Sequence, residues 1–138
     1  MLNKKLILIV ILSLFFIEIS QANFFSKKIK VTECYEFNSF SSFEQFYDHQ
    51  ISKRIQGAQG ILTKWDWELD LKKNTAKRIT EINGIIDIDQ FKLINTDEYL
   101  FVEQTGVFKV SFNKKTEKVT TFVKGAIDIK TELQCNFK

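Results

Sequence analysis

Three groups of residues have side chains that could carry chemistry. Asp66, Glu68 and Asp70 alternate along one stretch. Carboxylates hydrolyse glycosides when a pair faces across a cleft, about 5–10 Å apart. Here they share one side of one predicted strand with Lys64 close by, so the pattern reads as a solvated face. Asp87-Ile88-Asp89 hints at calcium, but no Asp-x-Asp-x-Asp-Gly loop follows. His49 is the only histidine and stands beside Asp48. A base or a metal ligand needs partners, and a polar helix position accounts for it better. The chain has no phosphate-binding glycine loop, no Gly-x-Ser-x-Gly elbow and no Cys-x-x-Cys pair. The sequence therefore assigns no catalytic residue, no metal ligand and no cofactor, and no enzyme activity is expected.

Two other pairs carry more. Cys34 and Cys135 are the only cysteines. An even count in an exported chain predicts a disulfide, and with two cysteines the connectivity is settled. It would close a loop of roughly a hundred residues, stabilising by up to ~4.7 kcal/mol in the chain-entropy model. Trp65 and Trp67 share one parity of the most regular strand. Core packing is the simpler reading; lining a barrel interior, they would contact an apolar ligand.

Export is read from the first 22 residues. Lys4 and Lys5 start the chain, Leu6 to Ile17 form an apolar run broken only by Ser13, and Ser20-Gln21-Ala22 precede a cleavage point. This is the layout of a secretory signal peptide. The apolar run is shorter than the ~20 residues a membrane-crossing helix needs. The reading gives a signal peptide at 1–22 and one β-rich domain at 23–138, destined for the periplasm or the extracellular space. Removing 22 of 138 residues leaves 116, which suits one domain with a substantial core. The formal charge is +3, and lysines alternate with acids along the chain. Nucleic acid, which calls for a basic stripe, is not an expected partner. No Asn-x-Ser/Thr sequon occurs, and there is no proline.

The elements that must position these residues are mostly strands. Residues 29 to 37 read as a first strand, with Ile29, Val31, Tyr35 and Phe37 on one parity. Ser41-Ser42-Phe43-Glu44 reads as a capping box. Phe43, Phe46, Tyr47, Ile51 and Ile55 then recur at helical spacing, predicting an amphipathic helix over Ser42 to Ile55. Phe37, Phe40, Phe43 and Phe46 are expected to dock that helix and its lead-in. From Ile61 the period becomes two: Ile61, Thr63, Trp65, Trp67, Leu69 and Leu71 face one way and the charged residues the other. Asn83-Gly84 predicts a type I′ hairpin turn. The apolar parity slips between Ile88 and Phe91, which predicts a bulge near Asp89. Further strands fall at Tyr99–Gln104, Val107–Phe112 and Glu117–Lys124, and the last ends at Phe137. Leu69 to Thr75 echoes Val110 to Thr116, as two hairpins with similar turn chemistry would.

About eight strands joined by short turns predict an antiparallel meander, either a closed barrel or a sandwich, with one helix between strands one and two. Pairing the first strand with the last would bring Cys34 to Cys135. Cys34 lies on the polar parity of its strand, so both cysteines face one interior only if the chain bulges near Glu33. In general shape such a barrel resembles the lipocalin type. It lacks that type's Gly-x-Trp signature: Gly60 is followed by Ile61-Leu62-Thr63-Lys64 before Trp65. The expected function is binding of an apolar small molecule or a protein partner. The alternative is an envelope interaction module with a filled core and no cavity. An outer-membrane barrel is a third class, which the short middle strands and the terminal Lys138 speak against.

Overall fold

The computed structural model describes residues 28–97, 99–104 and 106–138. The expected signal peptide at 1–22 and its expected cleavage point lie outside the described residues. Eight antiparallel strands close into a barrel: β1 (Lys28–Tyr35), β2 (Leu62–Asp70), β3 (Thr75–Ile82), β4 (Ile85–Asn95), β5 (Tyr99–Gln104), β6 (Phe108–Asn113), β7 (Lys118–Val123) and β8 (Ile129–Phe137). One helix, α1 (Phe43–Ile55), lies between β1 and β2. Of the two expected architectures the barrel is the one formed. Each strand pairs with its sequence neighbour, and β1 pairs with β8, so no edge remains.

The alternation read from sequence becomes inside and outside. Trp67, Leu69, Leu100, Val102, Val110, Phe112, Val119 and Cys135 are buried in the barrel, while Lys109, Glu132 and Lys130 on the same strands are exposed. Apolar in and charged out is the inverse of a membrane-embedded barrel, whose outer band is apolar.

Two departures from strict alternation were expected, and one is present. In β1 the register to β8 shifts between Thr32 and Tyr35. Glu33 there takes φ 56°, a left-handed conformation that non-glycine residues seldom adopt. The extra residue turns Cys34 inward. The predicted bulge at Asp89 is absent. The β3–β4 ladder runs without a shift from Thr75↔Lys92 to Ile82↔Ile85. The apparent slip arises because Asp89 itself faces inward, opposite Arg78, while Ile86 and Ile88 face solvent. Arg78 and Asp89 form an ion pair, and the guanidinium lies 5.2 Å from the Phe91 ring centroid and 5.5 Å from that of Phe108. A paired charge can occupy an inward position that an alternation rule reserves for an apolar residue. A bulge does occur in β2, where the register shifts between Leu62 and Lys64. The Thr63 hydroxyl is buried there and bonds the Glu81 carbonyl and carboxylate.

The helix begins one residue later than the capping box implied. Ser42 is the N-cap and its Oγ accepts from the Gln45 N–H at 3.2 Å, while Gln45 Oε1 accepts from the Ser41 N–H at 2.8 Å. Gln45 thus takes the place expected of Glu44. The Glu44 carboxyl is held below its ordinary range by its own backbone N–H and by the Ser42 hydroxyl. The expected amphipathic docking is partial: α1 buries no residue, and Ile55 is largely exposed. Phe40 packs edge-on against Phe46, and Phe43 tilts against Phe46 and Tyr47. Phe37 does not join them; it lies beyond β1, under the Lys118 ammonium at 4.5 Å. Two contacts fix the helix over one end of the barrel. Gln50 Nε2 donates to the Leu62 carbonyl at 3.0 Å. The Arg54 guanidinium lies so close to Gly84 that a Cβ there would meet Nη2 at 2.8 Å. Asn83 and Gly84, at φ 52° and 82°, form the expected I′ turn.

Candidate functional site

In an antiparallel meander the connections alternate between the two ends. The β3–β4, β5–β6 and β7–β8 connections and α1 share one end, which we call the mouth. The β2–β3, β4–β5 and β6–β7 turns share the other, with Lys28 and Lys138, and form the base.

The half of the barrel nearer the base is filled. Trp67, the largest fully buried side chain, sits edge-on to Phe112 at 5.3 Å and tilted to Phe91 at 5.7 Å. Its Nε1 is buried and has no hydrogen-bond partner among the described residues. Trp65, two residues nearer the mouth, packs edge-on to Trp67 at 5.3 Å and is half-buried. Its other side faces a cavity of about 300 Å³. Phe46 and Gln50 of α1 cover that cavity, and Leu62, Trp65, Phe108 and Leu133 form apolar walls. Thr121 and Thr131 supply two hydroxyls, and Cys34 borders the space. A cavity of ~150 Å³ holds benzene. This one lies at the lower limit of ligand sites and suits a molecule of a few fused rings or a short chain.

The mouth continues the apolar surface outward. Ile82, Ile85, Val123 and Ile129 stand on the inward parity of their strands, yet between 38% and 74% of each is exposed. Ile85 and Ile129 are mostly uncovered, and Ile82 and Val123 are partly so. A chain that folds its own core spends such positions on contact, so uncovered inward aliphatics mark a space left for something else.

The sequence candidates distribute as follows. Cys34 and Cys135 meet, with Sγ atoms 2.11 Å apart and Cα atoms 4.2 Å apart. Trp65 reaches the cavity, whereas Trp67 is the floor beneath it and core. His49 lies on α1 with its ring 5.4 Å from that of Phe40. Asp66 faces outward with Lys64 Nζ at 3.3 Å. Its carboxyl is pushed above the ordinary range by burial, with Lys64 opposing the shift. Asp70 caps a turn through the Lys72 and Lys73 N–H groups. Asp87 accepts from the Ile88 N–H, and Asp89 is committed to Arg78. Among the described residues no three His, Cys, Asp or Glu side chains are grouped as metal ligands would be.

Sequence reasoning missed Leu62, Phe108, Thr121 and Thr131 as wall residues. One signal was present: Thr121 and Thr131 sit directly opposite each other on inward parity, in strands otherwise apolar inside. Small polar residues at inward positions show where an interior is not packed shut. Comparison of the chain with models of protein families, with curated proteins and with solved structures finds no match.

Proposed function

We propose that this protein is an exported binder of a small apolar molecule, held in the mouth cavity under α1. One observation carries the reading: a space of about 300 Å³ walled by Phe46, Leu62, Trp65, Phe108 and Leu133, with Glu36 and Lys64 also on its lining. Burying apolar ligand surface there yields about 25 cal/mol per Å², and two threonine hydroxyls orient one polar group. Release from the cytoplasm accords with the amino-terminal sequence and with paired cysteines, which persist in oxidising compartments.

Trp65 makes the proposal measurable. Titration with short-chain fatty acids, indole, naphthalene derivatives and anilinonaphthalene sulfonate should give saturable changes in tryptophan emission or probe fluorescence. Thr131→Phe, which fills the cavity from β8, should abolish them while leaving the melting temperature within a few degrees. Silence across the panel, or an equal response from Thr131→Phe, would favour the filled interaction module, to which the packed lower half of the barrel already belongs.

A further inference from the structure

The echo between Leu69–Thr75 and Val110–Thr116 has a structural counterpart in the base, remote from the cavity. Both hairpin turns are held by an Asx side chain. Asp70 Oδ1 accepts from the N–H groups of Lys72 and Lys73, and Asn113 Oδ1 accepts from those of Lys115 and Thr116. Both reverse direction through a left-handed residue, Asn74 at φ 51° and Glu117 at φ 54°. Each presents two exposed lysines, Lys72 with Lys73 and Lys114 with Lys115. The β2–β3 and β6–β7 turns are four strands apart in an eight-stranded barrel, so they stand on opposite sides of the rim. Between them, β1 and β8 bring Lys28 and Lys138 to the same end, where Lys30 and Lys138 exchange backbone hydrogen bonds at 2.8 Å.

Six lysines spread along the sequence are thus brought to one end of the barrel. Glu68, Asp70, Asp97, Glu98 and Glu117 are the acids near these turns, and Asp70 is occupied with its turn. None of the six lysines makes an ion pair with a described residue. They lie along three stretches of the rim, the β2–β3 turn, the β1–β8 seam and the β6–β7 turn, and do not converge on one point; the β4–β5 turn carries Asp97 and Glu98 instead. A recess of about 290 Å³ beside Lys28 and Lys73 is also lined by Glu68 and Asp70, so it is no cradle for a single phosphate. An arc of separated cations across one end of the barrel matches a plane of negative charge; a linear polyanion would call for a stripe.

We infer that the base of the barrel is a docking face for anionic phospholipid bilayers. Charge complementarity argues for it. Polybasic faces gain lipid affinity with each lysine near the surface, and salt screens the attraction. Docked in this way, the protein directs its mouth away from the lipid.

The test uses residues 23–138, the chain expected after export, and sedimentation with phosphatidylcholine vesicles, with and without phosphatidylglycerol as about a third of the lipid. The protein should pellet with the anionic vesicles at low salt, stay in solution with phosphatidylcholine alone, and be released by about 0.5 M NaCl. Lys72→Gln/Lys73→Gln/Lys114→Gln/Lys115→Gln should weaken binding at least tenfold with an unchanged circular dichroism spectrum, because the Asp70 and Asn113 caps remain. Lys28→Gln/Lys138→Gln, on a different part of the rim, should weaken it independently. Equal binding to both vesicle types, or wild-type affinity in both variants, would overturn the inference. So would stronger release by inorganic phosphate than by chloride at equal ionic strength, which would mean a free-anion site. Competition by a short DNA duplex below the matching lipid phosphate concentration would assign the face to nucleic acid instead.

Discussion

Cys34 meets Cys135 across 101 positions of sequence because Glu33, between them and the rest of β1, is in the left-handed region at φ 56°. Without that residue Cys34 would face solvent and Cys135 the core. The bulge and the covalent link are therefore one device, which seals the closure of the barrel at the β1–β8 seam.

Oxidised wild type should be about 2–5 kcal/mol more stable than Cys34→Ser/Cys135→Ser in urea unfolding, with the difference lost in reductant. At Glu33, glycine accepts positive φ freely and a β-branched residue does not. Glu33→Gly should be neutral or stabilising, and Glu33→Val destabilising by about 1–2 kcal/mol. Equal effects of glycine and valine would show that the left-handed turn is not what positions Cys34.

Arg78 and Asp89 are each partly screened by water, with side chains 26% and 38% exposed. Removing one partner leaves a half-buried charge, so Arg78→Met or Asp89→Asn alone should cost about 1–2 kcal/mol, between the values for surface and buried pairs. Arg78→Met/Asp89→Leu should recover most of the loss. A double-mutant cycle with no coupling would place both side chains in solvent.

Trp67 buries an indole N–H without a partner, a cost of about 1–3 kcal/mol that phenylalanine does not carry. Trp67→Phe should therefore stay within ~1 kcal/mol of wild type, and Trp67→Ala should lose about 3–5 kcal/mol. Trp65→Ala should cost less, because its ring already borders open space, and should enlarge the cavity. Equal costs at positions 65 and 67, by denaturant titration, would contradict this division between wall and core.

Asp66 gives a pH signature. Burial raises its pKa in the folded state, so the fold holds that proton more tightly than the unfolded chain does. The contribution of this group to stability is greatest at low pH and falls as pH rises from the ordinary carboxylate range through the raised folded value. Asp66→Asn should then be more stable than wild type near pH 7 and match it once the carboxylate is protonated. A less stable Asp66→Asn at pH 7 would mean that the Lys64 pair outweighs desolvation.

Much of the scaffold was legible because antiparallel strands with one wet face write their structure as a period of two. Trp65, Trp67 and Leu69 against Asp66 and Glu68 is such a run, and Asn83-Gly84 marks the β3–β4 hairpin through backbone preference alone. The failures occur where a side chain contravenes its local pattern for a distant partner. Asp89 faces inward because Arg78 neutralises it, and nothing near Asp89 in sequence reports that. Phe37 keeps helical spacing with Phe40 and Phe43 but leaves them, since Lys118 lies beyond the end of β1.

Local chemistry in the chain itself determined strand identity, turn type, most of the inward apolar residues and the pairing of the only two cysteines. Tertiary structure alone decided what shares an end. Successive turns of a meander alternate between mouth and base, so lysines spaced evenly along the sequence collect on one rim and uncovered aliphatics on the other. The cavity belongs to the same category: its walls come from β1, β2, β6, β7, β8 and α1, and only closure of the ring brings them around one space.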